Sequence, residues 1–466
     1  MTPILLVSNR GPLSFRFDNT DTTGPPRLKA LPAGGGLVSA LYPLLSGPDS
    51  DATWASMTMG AADRQAVAEG LMVDEQCTLL PVVVDDDTYR QAYDVIANTT
   101  LWYCHHHLFD LPRRPRFDRH WREAFEGFRR YNRAMADVVT EQVVDGSTVL
   151  VQDYHFSLLG RMLAEARPDL STVHFNHIPF ADPNMLRVLP DFAVAEILEG
   201  LAGFGACGFH APEWASGFRA CYDSILPGAA PRSFVSSLSP DHEGLLAEAS
   251  TPACLRSAEA LRVEAAGRKI LLRVDRVEPS KNIVRGMLAY EELLLAHPEW
   301  REKVVHLALV YPSRQGLAEY LAYGAEVTYT AERINAALGS PDWAPIILHM
   351  EDDRPRSLAA LTISDVLLVN PVRDGLNLVA KEGPHLNTVD GVLVLSHEAG
   401  AWNELAEAAL GVNPFDVTGT AEALHVALSM PAAERAERSV TLQRLVRART
   451  AADWLEDQLE AAVNID

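Results

Sequence analysis

The stretch Val366–Glu382 reads VLLVNPVRDGLNLVAKE, and its reading decides the fold. Val366–Val369 is a short apolar run without alternation, the pattern of a strand buried on both faces of a parallel sheet. Asn370-Pro371 breaks it, an Arg-Asp-Gly turn follows, and helical spacing begins near Asn377. A strand, a glycine turn and a helix N-terminus together make an anion site, because first-turn N–H groups lack intrahelical acceptors and the helix dipole adds to them. Gly375 permits close backbone approach, and Glu382 falls about one to two turns into the helix, where a carboxylate can accept from ribose hydroxyls. The expectation is a seat for a nucleotide sugar, with diphosphate at the helix start, sugar against Asp374 and ribose on Glu382. An ordinary βα turn has the same local pattern, so the weight rests on the rest of the chain.

Working outward, Arg268 opens an alternating series. It comprises strands at Lys269–Asp275, Val304–Val310, Ile346 and Gly391–Leu395, with helices at Ile283–His297 and Gly316–Leu338. The first half alternates too, with strands at Pro3–Ser8, Thr53-Trp54, Cys77–Val84, Ser147–Val151, Thr172–Phe175 and Gly205–Phe209, and a long helix at Trp121–Val144. The Pro/Gly/Ser-rich segment Pro227–Pro240 reads as an inter-domain linker. The fold class is therefore α/β, with two Rossmann-like domains facing each other across a deep cleft. The N-terminal domain spans 1–232 and the C-terminal domain 233–448. Pro431–Val463 reads as helical and highly charged.

Composition excludes several classes. A formal net charge of −22 repels nucleic acid and anionic membranes, so neither is expected as a partner. No apolar run is long enough for a membrane span, and MTPILLVSNRGP lacks the basic flank and cleavage site of a signal peptide. The five cysteines are scattered without a CxxC, which suits a reducing cytoplasm. His105-His106-His107 suggests metal at first sight, but consecutive helical residues point apart and no partner has ligand spacing. No metal and no cofactor are expected. A homo-oligomer is compatible with everything above.

Candidate chemistry gathers at strand ends. Arg276 and Lys281, in VDRVEPSK, can close on one diphosphate, the arginine as a fork and the lysine as a point charge. A surface ion pair with Asp275 or Glu278 is the plainer alternative. Arg314, in YPSRQG, ends another strand, and Arg10, in SNRGP, comes from the other domain. Two arginines from opposite lobes point to a second anionic group, an acceptor phosphate, with Tyr93 and Trp102 lining its pocket; core packing is the plainer role for both aromatics. Asp153 and His177 stand at consecutive strand ends, suited to hydroxyl recognition or proton handling, although a histidine there can equally be structural. Leu31–Ala40, LPAGGGLVSA, is a glycine-rich loop into a helix that does not match GxGxxG.

Together these pieces resemble the trehalose-6-phosphate synthase family, retaining glycosyltransferases of the GT-B fold. The resemblance runs in order through SNRGP (8–12), GGGLVSAL (34–41), LWY (101–103), QDYH (152–155) and HIPF (177–180). It continues through VDRVEPSKNI (274–283), PVRDGLNLVAKE (371–382), VLSHEAGA (394–401) and VNPFD (412–416). It implies transfer of glucose from a nucleotide diphosphate to the anomeric hydroxyl of glucose 6-phosphate, giving α,α-trehalose 6-phosphate. Carried over by position, Asp153, His177, Arg276, Lys281 and Asp374 form the catalytic set. Arg276 and Lys281 hold the diphosphate, and Glu382 the ribose. Asp374 and the amides of Gly375, Leu376, Asn377 and Leu378 meet the donor glucose and phosphate, His177 sits near its 6-hydroxyl, and Gly35 and Gly36 close over it. Asp153 binds the acceptor sugar, while Arg10, Tyr93, Trp102 and Arg314 grip its phosphate. The family uses no metal, and retention is ascribed to front-face attack assisted by the leaving phosphate. The resemblance also implies that the C-terminal helix, about 449–466, crosses back onto the N-terminal domain.

Three departures stand out. Trp54-Ala55-Ser56-Met57 replaces the family's Trp-x-Gly-Trp, Glu398 follows His397 where an aromatic is usual, and Asn176 precedes His177. They leave the diphosphate grip intact and the donor base open. The Ala, Arg and Asp richness resembles actinobacterial proteins and leans towards GDP-glucose over UDP- or ADP-glucose. Two rivals remain: a relative that couples a cyclitol or glycerol phosphate, and a catalytically silent regulatory relative.

Overall fold

The computed structural model describes residues 3–18, 27–32, 36–47, 51–228 and 230–463. The chain divides into two compact units, Met1–Ser237 with Ala451–Asp466, and Leu238–Thr450. The strands of the first unit are β1 (Ile4–Ser8), β2 (Leu13–Asp18), β3 (Arg27–Pro32), β4 (Thr53–Met57), β5 (Thr78–Val82), β6 (Thr148–Gln152), β7 (Ser171–Asn176), β8 (Ala206–Phe209) and β9 (Arg232–Val235). Those of the second are β10 (Lys269–Val277), β11 (Val304–Pro312), β12 (Ile346–Met350), β13 (Val366–Val369), β14 (Val392–Ser396) and β15 (Leu410–Val412).

The first unit holds a seven-stranded sheet in the order β5-β4-β1-β6-β7-β8-β9, and the second a six-stranded sheet in the order β12-β11-β10-β13-β14-β15. Every pairing in both sheets is parallel. The sequence dictates this, because strands such as TVLVQ (β6) and VLVLS (β14) are buried at every residue and need helices on both faces. In each sheet the chain winds outward from one central strand, then returns to its other side. The switch points therefore lie between β1 and β6 in the first unit and between β10 and β13 in the second. Ligands of open α/β sheets bind outside the carboxyl ends of strands at such points.

Two helical features of the first unit matter for the site. Arg119–Gln142 is capped by Asp118, whose carboxylate accepts from the Trp121 amide at 3.0 Å, and it buries Phe125, Phe128, Tyr131 and Met135. Gln91–Leu101 is a π-helix. Its Thr99 and Thr100 hydroxyls donate to carbonyls five residues back, Asp94 and Val95, at 2.7 and 2.8 Å, which favours the wider turn.

The division between the units falls inside the segment Pro227–Pro240. Arg232–Val235 pair with β8 as the sheet's edge strand, and the first unit runs on to Ser237. Its flanking prolines, glycines and serines give a short edge strand the composition of a loop. The C-terminal helical stretch is two helices, Ala432–Val446 in the second unit and Ala451–Val463 in the first. The latter buries Trp454 edge-on to Phe175 at 4.9 Å between centroids. Its Gln458 Oε1 accepts from Gln152 Nε2 at 3.0 Å, and its Asp457 from Ser236 at 2.6 Å. The sequence reading did not include the antiparallel strand pair β2–β3.

Candidate active site

In the first unit the expected residues lie beyond β1, β6 and β7. Arg10 is exposed just past β1, and its Nη2 donates to the Tyr93 hydroxyl at 3.5 Å. Ser8 fixes this turn, donating to the Arg10 carbonyl at 2.7 Å while accepting from Trp54 Nε1 at 2.7 Å. Tyr93 stacks between Tyr89 and His155, at 5.2 and 5.6 Å, so packing and an outward hydroxyl coexist. Trp102 is 5% exposed and stacks on His106 at 4.0 Å, so it packs in the core.

Asp153 follows β6 with φ 75°, a conformation costing a non-glycine residue about 1–3 kcal/mol. Neighbouring bonds hold it there. Its N–H donates to the Phe175 carbonyl at 2.8 Å, and its Oδ1 accepts from the His177 amide at 3.3 Å, which ties the ends of β6 and β7 together. His177 sits at the centre of a directed chain. His210 Nε2 donates to its Nδ1 at 3.1 Å, and its Nε2 donates to Gln152 Oε1 at 2.9 Å. Burial lowers its pKa to about 3, with His174 adding to the effect, so the ring is neutral. A sugar hydroxyl that binds this ring has to share one of those two bonds. Gly36 begins the helix Gly36–Leu45 and is exposed, whereas Gly35 lies outside the described residues.

The second unit brings Arg276, Lys281, Arg314, Asp374 and Glu382 to the carboxyl ends of β10, β11 and β13. Lys281 Nζ pairs with Asp374 Oδ2 at 2.5 Å. Burial pulls the lysine down, but Asp374 and Asp275 outweigh it and leave the pKa raised. Asn377, at φ 77°, donates to the same Asp374 oxygen at 3.1 Å and accepts from the Ala380 amide at 3.2 Å, ordering the start of the helix Val379–Leu386. Glu382, in that helix's first turn, is partly buried, and desolvation raises its pKa.

Backbone bonds clip three loops together. Val372 N–H reaches the Ser280 carbonyl at 2.8 Å, Asp374 N–H the Glu398 carbonyl at 3.0 Å, and Gly400 N–H the Asp374 carbonyl at 3.1 Å. Gly400 is required there, since a Cβ would stand 2.0 Å from the Gly375 oxygen. The Glu398 departure is matched locally, its carboxylate lying 3.6 Å from Arg373 Nε.

The surface ion-pair alternative for Arg276 does not hold, because its partner Glu278 is fully buried. The contact is 3.3 Å, with the arginine side chain 41% exposed. Arg314 is held by Tyr320, donating to its hydroxyl at 2.6 Å and lying 5.5 Å over its ring.

Sequence reasoning missed the scaffold beneath. Arg273, fully buried, donates to Asp275 at 2.6 Å, to the Lys281 carbonyl at 3.0 Å and to Asn370. Asn282, at φ 60°, donates to the carbonyls of Asn370 and Pro414 at 2.9 and 2.7 Å. An arginine inside the apolar run KILLRVD was the available signal, since a buried cation demands partners. The three consecutive histidines diverge to separate partners: His105 accepts from the Ala181 amide, His106 Nδ1 meets the Trp102 carbonyl, and His107 faces Asp182.

The family model for Glycosyltransferase family 20 matches residues 3–464. The chain belongs to that family. A trehalose-6-phosphate synthase of Mycolicibacterium smegmatis is 31% identical over 98% of this chain and 92% of its own length. A bifunctional trehalose-6-phosphate synthase/phosphatase of Thermoproteus tenax is 33% identical over 83% of this chain and 54% of its own length. The chain thus spans about half the length of some of the relatives it matches. Among solved structures, an E. coli family member bound with UDP-2-fluoro glucose superposes with a TM-score of 0.83, at 26% identity and full coverage of both chains. A Burkholderia xenovorans synthase in complex with glucose 6-phosphate gives 0.83 at 26% identity, covering 99% of this chain. The fold is the two-domain GT-B fold of these relatives. Among the described residues, no helix is long and apolar enough to cross a membrane.

Proposed function

We propose that this protein transfers glucose, with retention, from a nucleotide-diphosphate glucose to glucose 6-phosphate, forming α,α-trehalose 6-phosphate. The observation that carries this reading is the set Arg276, Lys281, Asp374 and Glu382 gathered at the second unit's switch point, beside a helix N-terminus. The donor's diphosphate lies on Arg276 and Lys281, its ribose on Glu382, and its glucose against Asp374 and the backbone of Gly375–Leu378. The acceptor phosphate is taken by Arg10, Tyr93 and Trp102 with Arg314, and the acceptor sugar by Asp153. As the C1–O bond to the diphosphate breaks, its electron pair goes to the leaving oxygen, which the two cations stabilise. The acceptor's anomeric hydroxyl forms the new C1–O bond from the same face and gives its proton to the leaving phosphate. Fixed cations here do what a metal ion does in other transferases.

For the donor base, the support favours uracil. Relatives from Dictyostelium discoideum and Schizosaccharomyces pombe are named UDP-forming, and the E. coli structure holds a UDP sugar. The lean towards GDP-glucose finds no such support. The test is the initial rate with glucose 6-phosphate and UDP-, GDP- or ADP-glucose, with EDTA present throughout. UDP-glucose is expected to be the preferred donor, and absence of nucleotide release from all three would overturn the reading.

Arg314→Ala should raise the KM for glucose 6-phosphate about tenfold and that for the donor less than about threefold. An equal rise in both would assign Arg314 to the diphosphate instead.

A further inference from the structure

We propose that Glu278, which contacts neither substrate in the reading above, is a positioning residue that orients Arg276 towards the donor diphosphate and holds the neighbouring Ser313-Arg314 loop. Glu278 is the first residue beyond β10 and is 0% exposed, although nothing in its local sequence marks it as interior. A buried carboxylate is retained only when charge and hydrogen bonds compensate its lost hydration. Here the compensation comes from the proposed phosphate-binding cations. Oε1 lies 3.3 Å from Arg276 Nε and accepts from the Ser313 hydroxyl at 2.9 Å. Burial drives its pKa up, yet Arg276, Arg314 and Lys281 together bring it down to about 2.

The geometry separates the two ends of the pair. Glu278 is sealed beneath the surface while Arg276 stays 41% exposed, so the guanidinium is anchored through Nε from below. Its terminal nitrogens can then face an oxyanion, the fork geometry that arginine supplies and lysine does not. Ser313 extends the anchor to the loop after β11, where Arg314 adopts φ 46°. One carboxylate thus links the loops after β10 and β11. Its other oxygen, Oε2, has no hydrogen-bond partner among the described residues. The carboxylate therefore holds Arg276 from the Nε side through Oε1, without a hydrogen bond from Oε2 to the terminal nitrogens. A closed bidentate pair would instead compete with the diphosphate.

The inference rests on the proposed donor site, and Glu278→Gln tests it by keeping the shape and removing the charge. Orientation of Arg276 is lost, while removal of a negative charge beneath it raises the positive potential at the diphosphate. We expect kcat/KM to fall about thirtyfold, mainly in kcat, while the Kd of UDP measured by calorimetry stays within about threefold of wild type. Glu278→Asp, which keeps the charge, should recover activity to within about fivefold of wild type. Activity of Glu278→Gln within about twofold of wild type would overturn the proposal. So would parallel losses of UDP affinity, activity and Tm in both variants, the pattern of a purely structural carboxylate. If Glu278→Gln does not fold, Ser313→Ala breaks the 2.9 Å bond from the other side. A loss in kcat with an unchanged Tm is expected there, and an unchanged kcat counts against the proposal. The two readings fail differently. A wild-type protein that releases nucleotide from no donor sinks the transferase reading, whereas a normal wild type with an unaffected Glu278→Gln sinks only this one.

Discussion

Arg276→Ala should lower kcat/KM by about two to three orders of magnitude, equivalent to roughly 3–4 kcal/mol of transition-state stabilisation. Two effects add. The variant removes a fixed cation from the place where charge develops on the leaving diphosphate, and it leaves Glu278 buried without its contacting cation. Breaking a buried pair by deleting one member costs more than the pair was worth, because the remaining charge stays desolvated. The carboxylate's pKa should rise from about 2 towards its ordinary value, with Arg314 and Lys281 still opposing the rise. A folded pKa held low is a stabilising contribution present above the unfolded value and lost as pH falls through the folded value. The variant therefore loses stability at neutral pH and becomes less sensitive to mild acid. Steady-state kinetics with both substrates, and Tm between pH 4 and 8, check this. Activity within about threefold of wild type would remove Arg276 from the mechanism.

Gly400→Ala is the second large effect, reached through the backbone. The added methyl would lie 2.0 Å from the Gly375 oxygen and 2.9 Å from its carbonyl carbon. Neither is the end of a flexible side chain, so the loop carrying Asp374 and Gly375 has to move. Misplacement of a reacting group by about 1 Å costs on the order of a hundredfold in rate, and overpacking of this kind costs about 1–3 kcal/mol in stability. The donor KM and kcat should both suffer, Tm should fall by a few degrees, and the acceptor KM should change least. Gly324→Ala is the control, since its Cβ meets only Val277 Cγ1 at an ordinary 3.6 Å within a helix. There alanine should be neutral or slightly stabilising. Equal behaviour of the two variants would mean the close approach of the loops is not required.

Much of this molecule was legible in one dimension. Fully apolar strands such as VLLV and VLVLS identify themselves as parallel and buried, and the pattern repeating in two halves identifies two α/β units. Charged residues directly after such strands have to fall at carboxyl ends, which is why Arg10, Asp153, Arg276 and Asp374 stand out in the sequence. These inferences depend on period and order alone, and a sequence states both.

What only the tertiary structure decided depends on contacts between segments far apart in the chain. Edge strand β9 looked like a linker because pairing with β8, and not its composition, makes it a strand. The terminal helix belongs to the first unit through Trp454 and Gln458, whose partners Phe175 and Gln152 lie hundreds of residues away. Arg273 and Asn282 are framework donors because Asn370, from another strand end, arrives beside them. Glu278 is the sharpest case. In sequence it is one acid beside an arginine, the usual mark of a solvated pair worth little. Burial converts the same two residues into an anchored cation, because desolvation magnifies a charge interaction that water would screen, and burial is set by the whole fold.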